Sequence, residues 1–226
     1  MTCKERCADF LSVVIPTLNA RPSLAGALSA VADVAEIIVV DGGSIDGTIE
    51  LAESLGARVI HAPPGRGAQI AAGVAQARGA WLLLHADTRL QPGWREDTAT
   101  LMRGAPDRAG YFRLAFDSDT PEARRLERVV AWRGRALGLP YGDQGLLIPR
   151  ALLAAIGGVR ALPLMEDVDL ARRIGRHNLV ALDAIALTSA TRYIRDGWRR
   201  RSLRNLGCLT LYVAGVPPRW IARLYG

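Results

Sequence analysis

Four short apolar runs recur in the first 90 residues, and a segment with a helical period separates each run from the next. The runs cover residues 11–15, 36–40, 57–61 and 81–85. Because polar and apolar residues do not alternate within them, the runs are typical of strands buried on both faces. Strands of this kind between helices predict an α/β fold with a mostly parallel, Rossmann-like sheet and helices on both faces.

The carboxyl ends of these runs are where we expect chemistry, because ligands of parallel sheets bind beyond the strand ends. Asp41 ends the second run, and two glycines and a helix start follow it. Such a turn lets backbone N–H groups approach an anion. A solvated turn residue is the other interpretation of Asp41, and Ser44 or Asp46 is expected to cap the helix in either case.

The fourth run ends in His85-Ala-Asp87. A carboxylate at this place can bind Mg²⁺ or Mn²⁺, which prefer oxygen ligands. His85 lies two residues earlier, on the same face of an extended chain, so its imidazole is a second candidate ligand. A half-buried, hydrogen-bonded histidine is the competing interpretation, and both stay open here.

Two charged groups follow in the second half of the chain. Glu166, Asp167 and Asp169 open a helix, where acidic side chains offset the positive end of the helix dipole or where one of them acts as a general base. The arginines between residues 192 and 204 form either a solvated helix face or a loop that closes over a diphosphate. A nucleic-acid surface would use the same residue types.

Charge and cysteine content narrow the function classes. The net charge is +7, and Lys4 is the only lysine. An arginine-rich chain suits phosphate, nucleic acid or an anionic membrane, although a GC-rich genome produces the same bias. Three scattered cysteines exclude a disulfide framework. Without an apolar run of about 18 residues, we expect a cytoplasmic protein, or one peripheral at the inner face of the membrane.

Taken in order, four segments resemble the family 2 glycosyltransferases, which have the GT-A fold. They are Ser12-Val-Val-Ile-Pro-Thr-Leu-Asn19, Ile38-Val-Val-Asp-Gly-Gly-Ser-Ile-Asp-Gly-Thr48, Gly65-Arg-Gly67 with Gly79-Ala-Trp-Leu-Leu-Leu-His-Ala-Asp87, and Leu164-Met-Glu-Asp167. Residues 85–88, 142–145, 164–167 and 222–225 further resemble a subgroup of short transferases, associated with radical-SAM and selenodomain proteins and of the arsenosugar-biosynthesis type.

The resemblance implies an inverting transfer of one sugar from a nucleoside-diphospho-sugar, expected to be a UDP-sugar, to a hydroxyl acceptor that is small or lipid-linked. Asp167 would be the catalytic base that deprotonates the acceptor. The nucleotide-binding residues would be Pro16, Thr17, Asn19, Asp41, Arg66 and Asp87. Asp41 would accept a hydrogen bond from the base, and Asp87 would bind Mg²⁺ or Mn²⁺. The acceptor or diphosphate side would be formed by Glu166, Gln144, Arg199 and Arg200.

Two departures from the family pattern bear on these expectations. His85 stands where the first aspartate of the family's Asp-x-Asp motif is expected, so an imidazole or a water would complete the metal site beside Asp87. The Gln-x-x-Arg-Trp motif and the membrane spans of the long processive synthases are not found in this sequence. Their lack favours the transfer of a single sugar.

We expect one GT-A domain over residues 10–197, with a nucleotide-binding half (10–105) and an acceptor half (106–197), followed by a basic, amphipathic helical tail (198–226). The tail is expected to pack on the core or in a homodimer, with a membrane surface as the alternative.

Two alternative functions fit the sequence less well. A nucleotidyltransferase would need a glycine- and arginine-rich loop after the first strand, where this chain has Thr17-Leu-Asn-Ala20. A nucleic-acid or membrane-binding module with a degenerate nucleotide pocket would not need three carboxylates, so no nucleic-acid partner is expected.

Overall fold

The computed structural model describes residues 11–83 and 88–225. Eight strands form one mixed sheet. The strands are β1 (Leu11–Thr17), β2 (Glu36–Asp41), β3 (Arg58–His61), β4 (Ala80–Leu83), β5 (Thr88–Leu90), β6 (Ala109–Phe116), β7 (Leu146–Ile148) and β8 (Leu179–Thr188).

Ten α-helices in the described part of the chain connect and cover these strands. They are α1 (Arg21–Ser29), α2 (Thr48–Ser54), α3 (Arg66–Gln76), α4 (Trp94–Gly104), α5 (Pro121–Leu137), α6 (Arg150–Ala155), α7 (Glu166–Ile174), α8 (Thr191–Asp196), α9 (Trp198–Val213) and α10 (Pro218–Tyr225). Short 3₁₀ turns at Gly142–Gln144 and Arg176–Asn178 complete the connections.

The strand order is β3-β2-β1-β4-β7-β6-β8-β5. Strands β1 to β4 pair with one another in parallel, and β6 is parallel to β8. By contrast, β7 is antiparallel to both β4 and β6, and β5 is antiparallel to β8. The prediction of an α/β fold with a largely parallel sheet is therefore confirmed. Strands from both sides of residue 105 share this sheet, since β5 precedes that residue in sequence and pairs with β8 at the far edge. The division into a nucleotide-binding half and an acceptor half stays a prediction.

Alternate residues of each central strand supply the two faces of the core, as the pleat of a strand requires. Val13 and Val39 point to one face, where α1, α2 and α4 pack, and Val14 and Val40 point to the other, where α3, α6 and α7 pack. All four side chains are fully buried. Burial on both faces explains why the apolar runs of the sequence do not alternate.

The last three helices, α8 to α10, form a C-terminal appendage over residues 191–225. Cys208 of α9 and Ile221 of α10 are buried against Met165 and Val168 at the start of α7. One face of the tail thus packs on the core, which agrees with the packing expected from its sequence. Within the described ranges, none of the helices has both the length and the apolar character that a membrane span requires.

Gly73 allows α3 to pack closely on the sheet. A Cβ atom at this position would lie 2.4 Å from a Val14 methyl carbon and 2.7 Å from a Val40 methyl carbon. Because valine side chains are stiff and these two are fully buried, we expect Gly73→Ala to lower the free energy of unfolding by about 1–3 kcal/mol. Urea denaturation of the purified chain measures this change.

Gly207→Ala, in the exposed middle of α9, is the matched control. A Cβ atom at Gly207 would meet no other heavy atom of the described residues within 4 Å. The higher helix propensity of alanine is therefore expected to raise the free energy of unfolding by up to about 1 kcal/mol. Equal effects of the two substitutions would contradict the close packing of α3.

Candidate active site

Asp41 ends β2 at the carboxyl edge of the sheet, beside Thr17 at the end of β1. Its side chain is fully buried and accepts four hydrogen bonds. The donors are the hydroxyl of Thr17 (3.1 Å), the backbone N–H groups of Gly43 (2.8 Å) and Ser44 (2.7 Å), and the Ser44 hydroxyl. Asp41 is therefore not a solvated turn residue.

These hydrogen bonds fill the roughly four acceptor positions of a carboxylate. Burial by itself would raise the pKa of Asp41, but the hydrogen bonds from Ser44, Gly43 and Thr17 outweigh it and hold the pKa below its ordinary value. The carboxylate is thus ionised at neutral pH and shapes the loop after β2. Direct contact of Asp41 with a nucleotide base stays a prediction.

Asn19 ties the loop after β1 to the loop after β2. Its side-chain oxygen accepts a hydrogen bond from the backbone N–H of Ile45 (3.0 Å), and its own backbone N–H donates to the Ser44 hydroxyl (2.8 Å). The φ angle of Asn19 is +50°, a left-handed conformation that asparagine tolerates better than most residues. Asp46 accepts from the backbone N–H of Thr48 (3.1 Å), while Gly47 occupies the cap position of α2.

Gln69 is a buried residue of this edge that the sequence did not single out. Its amide nitrogen donates to the backbone carbonyls of Thr17 (2.6 Å) and Val40 (2.8 Å), so α3 is joined to the ends of both strands. The signal in the sequence is that Gln69 shares a face of α3 with Gly73, four residues later, although it is polar. From the helical period alone, an apolar side chain would be expected on this buried face.

The three carboxylates at the start of α7 have separate environments. Asp169 is buried in a network with Arg173 (2.7 Å), Arg160 (3.0 Å) and the Tyr212 hydroxyl (3.2 Å). These contacts join the start of α7 to the preceding loop and to α9 of the appendage, which gives Asp169 a structural role. The functional interpretation therefore concerns Glu166 and Asp167.

Arg66, the first residue of α3, connects the first half of the chain to these two carboxylates. Its Nε lies 2.9 Å from Oε1 of the buried Glu166, and its Nη2 lies 3.8 Å from Oδ2 of Asp167. The same Asp167 oxygen accepts a hydrogen bond from the backbone N–H of Gly142 (2.9 Å). A Cβ at Gly142 would lie 2.7 Å from Arg66 Nη2, so only glycine allows this approach without a shift.

Asp167 faces a cavity of about 120 Å³ between the start of α7, the end of β8 and the appendage. Unlike Glu166, which is 3% exposed, the Asp167 side chain is 21% exposed. The other charged and polar residues that line the cavity include Asp143, Arg192, Arg201, Asn205 and Tyr225. The cavity therefore combines an accessible carboxylate with two arginines from the tail.

Arg201 is the arginine that the tail turns inward, and its side chain is held in place. It donates to Asp196 (2.7 Å) and to the Tyr225 hydroxyl (3.4 Å), and the residue is 8% exposed. Arg199 and Arg200, which the sequence placed on the acceptor or diphosphate side, are exposed and do not line this cavity. The structure thus brings a neighbouring arginine to the cavity in their place.

Gln144, another predicted acceptor-side residue, is buried and bonded within the protein. Its amide nitrogen donates to the Phe112 carbonyl (3.2 Å), and its oxygen accepts from the Tyr141 backbone N–H (3.2 Å). It braces the turn that carries Gly142. Pro16, by contrast, lines a smaller apolar cavity of about 40 Å³ together with Arg66, Glu166 and Asp167.

Tyr193 lines the cavity floor and carries a perturbed phenol. Burial, assisted by the nearby Asp143 carboxylate, raises the pKa of Tyr193 to about 12. Its hydroxyl accepts a hydrogen bond from Asn205 (3.3 Å), and its ring stacks on Trp198 with centroids 5.0 Å apart. The phenol therefore stays protonated at neutral pH and takes no part as a base.

The predicted metal ligands His85 and Asp87 lie outside the described residues. Thr88, the next residue in the sequence, is buried, and its hydroxyl lies 2.8 Å from that of Thr188 and 3.4 Å from the Asp143 carbonyl. Within residues 11–83 and 88–225, no three His, Cys, Asp or Glu side chains are grouped as a metal site. Asp143 nevertheless lines the cavity, and a carboxylate offers the oxygen ligands that a hard divalent cation prefers.

Residues 12–160 match the family described as Glycosyl transferase family 2. The chain belongs to glycosyl transferase family 2. The match covers the loops that carry Asp41, Arg66 and Asp143, whereas Asp167 and the appendage lie beyond it. A comparison with curated protein sequences gave no match.

Solved structures of known glycosyltransferases share the fold. TarS 1-349 from S. aureus is 18% identical with a TM-score of 0.59, and the alignment covers 79% of this chain and 57% of that one. Glucosyl-3-phosphoglycerate synthase from Mycobacterium tuberculosis, in complex with Mn²⁺, UDP and glucosyl-3-phosphoglycerate, is 20% identical with a TM-score of 0.56. That alignment covers 84% of this chain and 75% of the synthase. The likeness establishes the GT-A fold.

The depressed pKa of Asp41 predicts a pH-dependent contribution to stability. A carboxyl whose pKa is lower in the folded state stabilises the fold above about pH 4, and this contribution is lost as the pH falls through the folded-state pKa. We expect Asp41→Asn to lower the free energy of unfolding at pH 7 by about 1–3 kcal/mol, because buried donors lose their acceptor. The difference from the wild type should shrink below about pH 4.

Denaturant unfolding at pH 7 and at pH 3.5 (roughly half a unit below the ordinary carboxyl value) measures both expectations. Asp107→Asn, at an exposed carboxyl, is the control and should change stability little at either pH. A difference between Asp41→Asn and the wild type that is the same at both pH values would refute the role assigned to the charge.

Proposed function

We propose that the chain transfers one sugar, with inversion and with a divalent cation, from a nucleoside-diphospho-sugar to a hydroxyl acceptor. The observation that carries this proposal is the accessible Asp167 carboxylate, which faces a cavity lined by Arg192 and Arg201 in a chain of family 2. An accessible carboxylate supplies a base, and arginines compensate the charge of a diphosphate.

In the proposed reaction, one Asp167 oxygen takes the proton of the acceptor hydroxyl as the hydroxyl oxygen attacks the anomeric carbon. The bond from that carbon to the donor's diphosphate oxygen breaks at the same time, and its electron pair leaves with the nucleoside diphosphate. Attack opposite the leaving group inverts the anomeric configuration. The backbone N–H of Gly142 donates to Asp167 Oδ2 (2.9 Å), and the backbone N–H of Val168 in α7 donates to Oδ1 (2.8 Å). Together these two hydrogen bonds fix the orientation of the carboxyl.

Arg66 has a positioning role in this scheme. Its ion pair with Glu166 fixes the guanidinium between the two halves of the site, within 3.8 Å of Asp167. The guanidinium at this distance compensates part of the negative charge of the Asp167 carboxylate. Arg201, held by Asp196 and Tyr225, is preorganised to meet the developing negative charge of the leaving group.

A divalent cation, Mg²⁺ or Mn²⁺, would supply further neutralisation of the diphosphate charge. Asp87 is the residue proposed to hold it, His85 is the second candidate, and Asp143 is the described carboxylate at the cavity that fits the same chemistry. In support, solved structures of the M. tuberculosis synthase contain Mn²⁺ with UDP or UDP-glucose.

The donor is proposed to be a UDP-sugar, since structures of TarS and of the synthase were determined with UDP. The chain spans 57% of TarS 1-349, so no acceptor is carried over from it. A small or lipid-linked hydroxyl compound fits the resemblance to the subgroup of short transferases. Nucleic acid is not proposed as a partner of this site.

Replacement of the proposed base tests the catalytic step. We expect Asp167→Asn to lower kcat for sugar transfer by about 10²- to 10⁴-fold, because the amide cannot take the acceptor proton. Donor affinity should change little. Release of UDP from UDP-glucose in the presence of a panel of hydroxyl acceptors measures turnover, and calorimetric titration with UDP measures binding.

Asp183→Asn, at an exposed position of β8, is the matched control for this experiment. It should leave both turnover and UDP affinity unchanged. Turnover retained by Asp167→Asn would assign the base to another residue.

The metal and nucleotide are tested together by thermal unfolding with UDP, GDP, dTDP and ADP, each with and without Mn²⁺. A ligand that binds the native state at 100 times its Kd stabilises it by about 2.7 kcal/mol, so UDP with Mn²⁺ is expected to raise the Tm most. Asp87→Ala should abolish the part of the shift that depends on Mn²⁺, whereas the exposed-site control Asp107→Ala should retain it. An unchanged shift in Asp87→Ala would remove Asp87 from the metal site.

A further inference from the structure

The appendage (α8–α10, residues 191–225) carries an unusual concentration of positive charge. It contains eight arginines and a single acidic residue, Asp196, which gives a net charge of +7. The net charge of the whole chain is also +7, so the remaining residues are neutral in sum. The basic character of the protein is therefore a property of this one segment.

Asp196 is the partner of three of these arginines. It pairs with Arg195 (2.8 Å), Arg201 (2.7 Å) and Arg204 (3.2 Å), and the arginine contacts lower its pKa to about 2. Four of the remaining arginines are exposed and do not line the cavity, two at the start of α9 and two on α10: Arg199, Arg200, Arg219 and Arg223. These four project from the surface rather than into the cavity beside Asp167.

The appendage also exposes large apolar side chains. Half of those that are exposed anywhere in the described part of the chain belong to the appendage: Ile194, Leu203, Leu206, Val213, Trp220 and Leu224. On α9 the exposed residues recur every three or four positions, opposite the buried Cys208, so they form one stripe. Leu203 and Leu206 in this stripe are 67% and 57% exposed.

Helix α10 repeats the arrangement on a smaller scale. Ile221 is fully buried against the core, while Trp220 and Leu224, one turn apart, are 49% and 70% exposed. Arg223 and Arg219 lie over the Trp220 ring, with their guanidinium carbons 4.7 Å and 5.9 Å from its centroid. Tryptophan and leucine flanked by arginine are typical of helices that lie in a membrane interface.

We propose that the outward face of α9 and α10 docks on an anionic lipid bilayer. This face is formed by the exposed arginines and apolar side chains of the two helices: Arg199, Arg200, Leu203, Leu206, Val213, Arg219, Trp220, Arg223 and Leu224. Its arginines fit the negative surface potential of such a bilayer, and its leucines and tryptophan fit the acyl boundary beneath the headgroups. A second copy of this chain fits less well, because a two-fold interface through this face would bring two arginine-rich surfaces of like charge together. A nucleic acid would meet the arginines but leave the apolar stripe exposed to water.

Co-sedimentation of the full chain with vesicles tests the docking, without nucleotide or metal, so the result does not depend on the proposed sugar transfer. We expect binding to phosphatidylcholine vesicles that contain phosphatidylglycerol, weaker binding as salt is raised, and little binding to pure phosphatidylcholine. Arg199→Glu with Arg200→Glu should weaken binding by at least roughly thirty-fold, since each arginine near the surface contributes about a five-fold factor.

Leu203→Ser with Leu206→Ser should weaken binding on the order of ten-fold and leave its salt dependence in place, because it removes apolar burial and keeps the charge. The charge-matched control is Arg103→Glu with Arg108→Glu, at exposed positions on the opposite side of the sheet. Leu55→Ser, at a side chain that is 44% exposed, is the apolar control. Both controls should bind like the wild type, and thermal unfolding should be unchanged in every variant.

Several results would overturn the proposal. Lack of binding to the anionic vesicles at low salt is one, and equal losses in the test and control variants are another. Duplex DNA binding that depends on Arg199 and Arg200, without vesicle binding, would assign the surface to nucleic acid. A dimer in analytical ultracentrifugation that Leu203→Ser with Leu206→Ser dissociates, again without vesicle binding, would assign it to a second copy.

Discussion

The ion pair between Arg66 and the buried Glu166 joins two helices that carry residues of the candidate site. Arg66 starts the helix that packs on β1 and β2, and Glu166 starts the helix that presents Asp167. Because Glu166 is almost fully buried, removal of Arg66 would leave its carboxylate without compensation away from water. The pair therefore fixes the distance between the carboxyl edge of the sheet and the proposed base.

Around this pair, most of the polar groups at the sheet edge are engaged in building backbone loops. Asp41 uses its acceptor positions on Thr17, Gly43 and Ser44, and Gln69 uses its amide on the carbonyls of Thr17 and Val40. Loops that are held in this way lose little further entropy when a ligand binds. The edge of the sheet is thus a preorganised surface, next to the cavity that the accessible Asp167 carboxylate faces.

The sheet and its edge could be predicted from sequence because continuous apolar strands and helical periods leave few alternatives. The carboxylates at the start of α7 could be located, but not separated. Glu166, Asp167 and Asp169 look alike in sequence, and only the partners that other elements bring to Glu166 and Asp169 distinguish them.

The arginines of α9, like the carboxylates of α7, could not be told apart from the sequence. Arg199, Arg200 and Arg201 are adjacent in sequence, and the phase of the helix on its neighbours decides which one points inward. Arg201 lies seven residues before the buried Cys208, so the two share a face. That spacing indicates that Arg201 and Cys208 point in the same direction, but the direction becomes known only from the packing of α9 on α7. Gln144 was expected at the acceptor side and instead supports the Gly142 turn, which no sequence spacing reveals.

Met165, the residue before α7, has a φ angle of +64°, which is uncommon for a side chain of its size. Its side chain is buried in the cluster that holds Cys208 and Ile221 of the appendage to the core. The packing of the appendage thus helps to offset the cost of this backbone conformation, which sets the direction in which α7 begins. Met165 therefore connects the packing of α9 and α10 to the turn that starts α7, two residues before the proposed base Asp167.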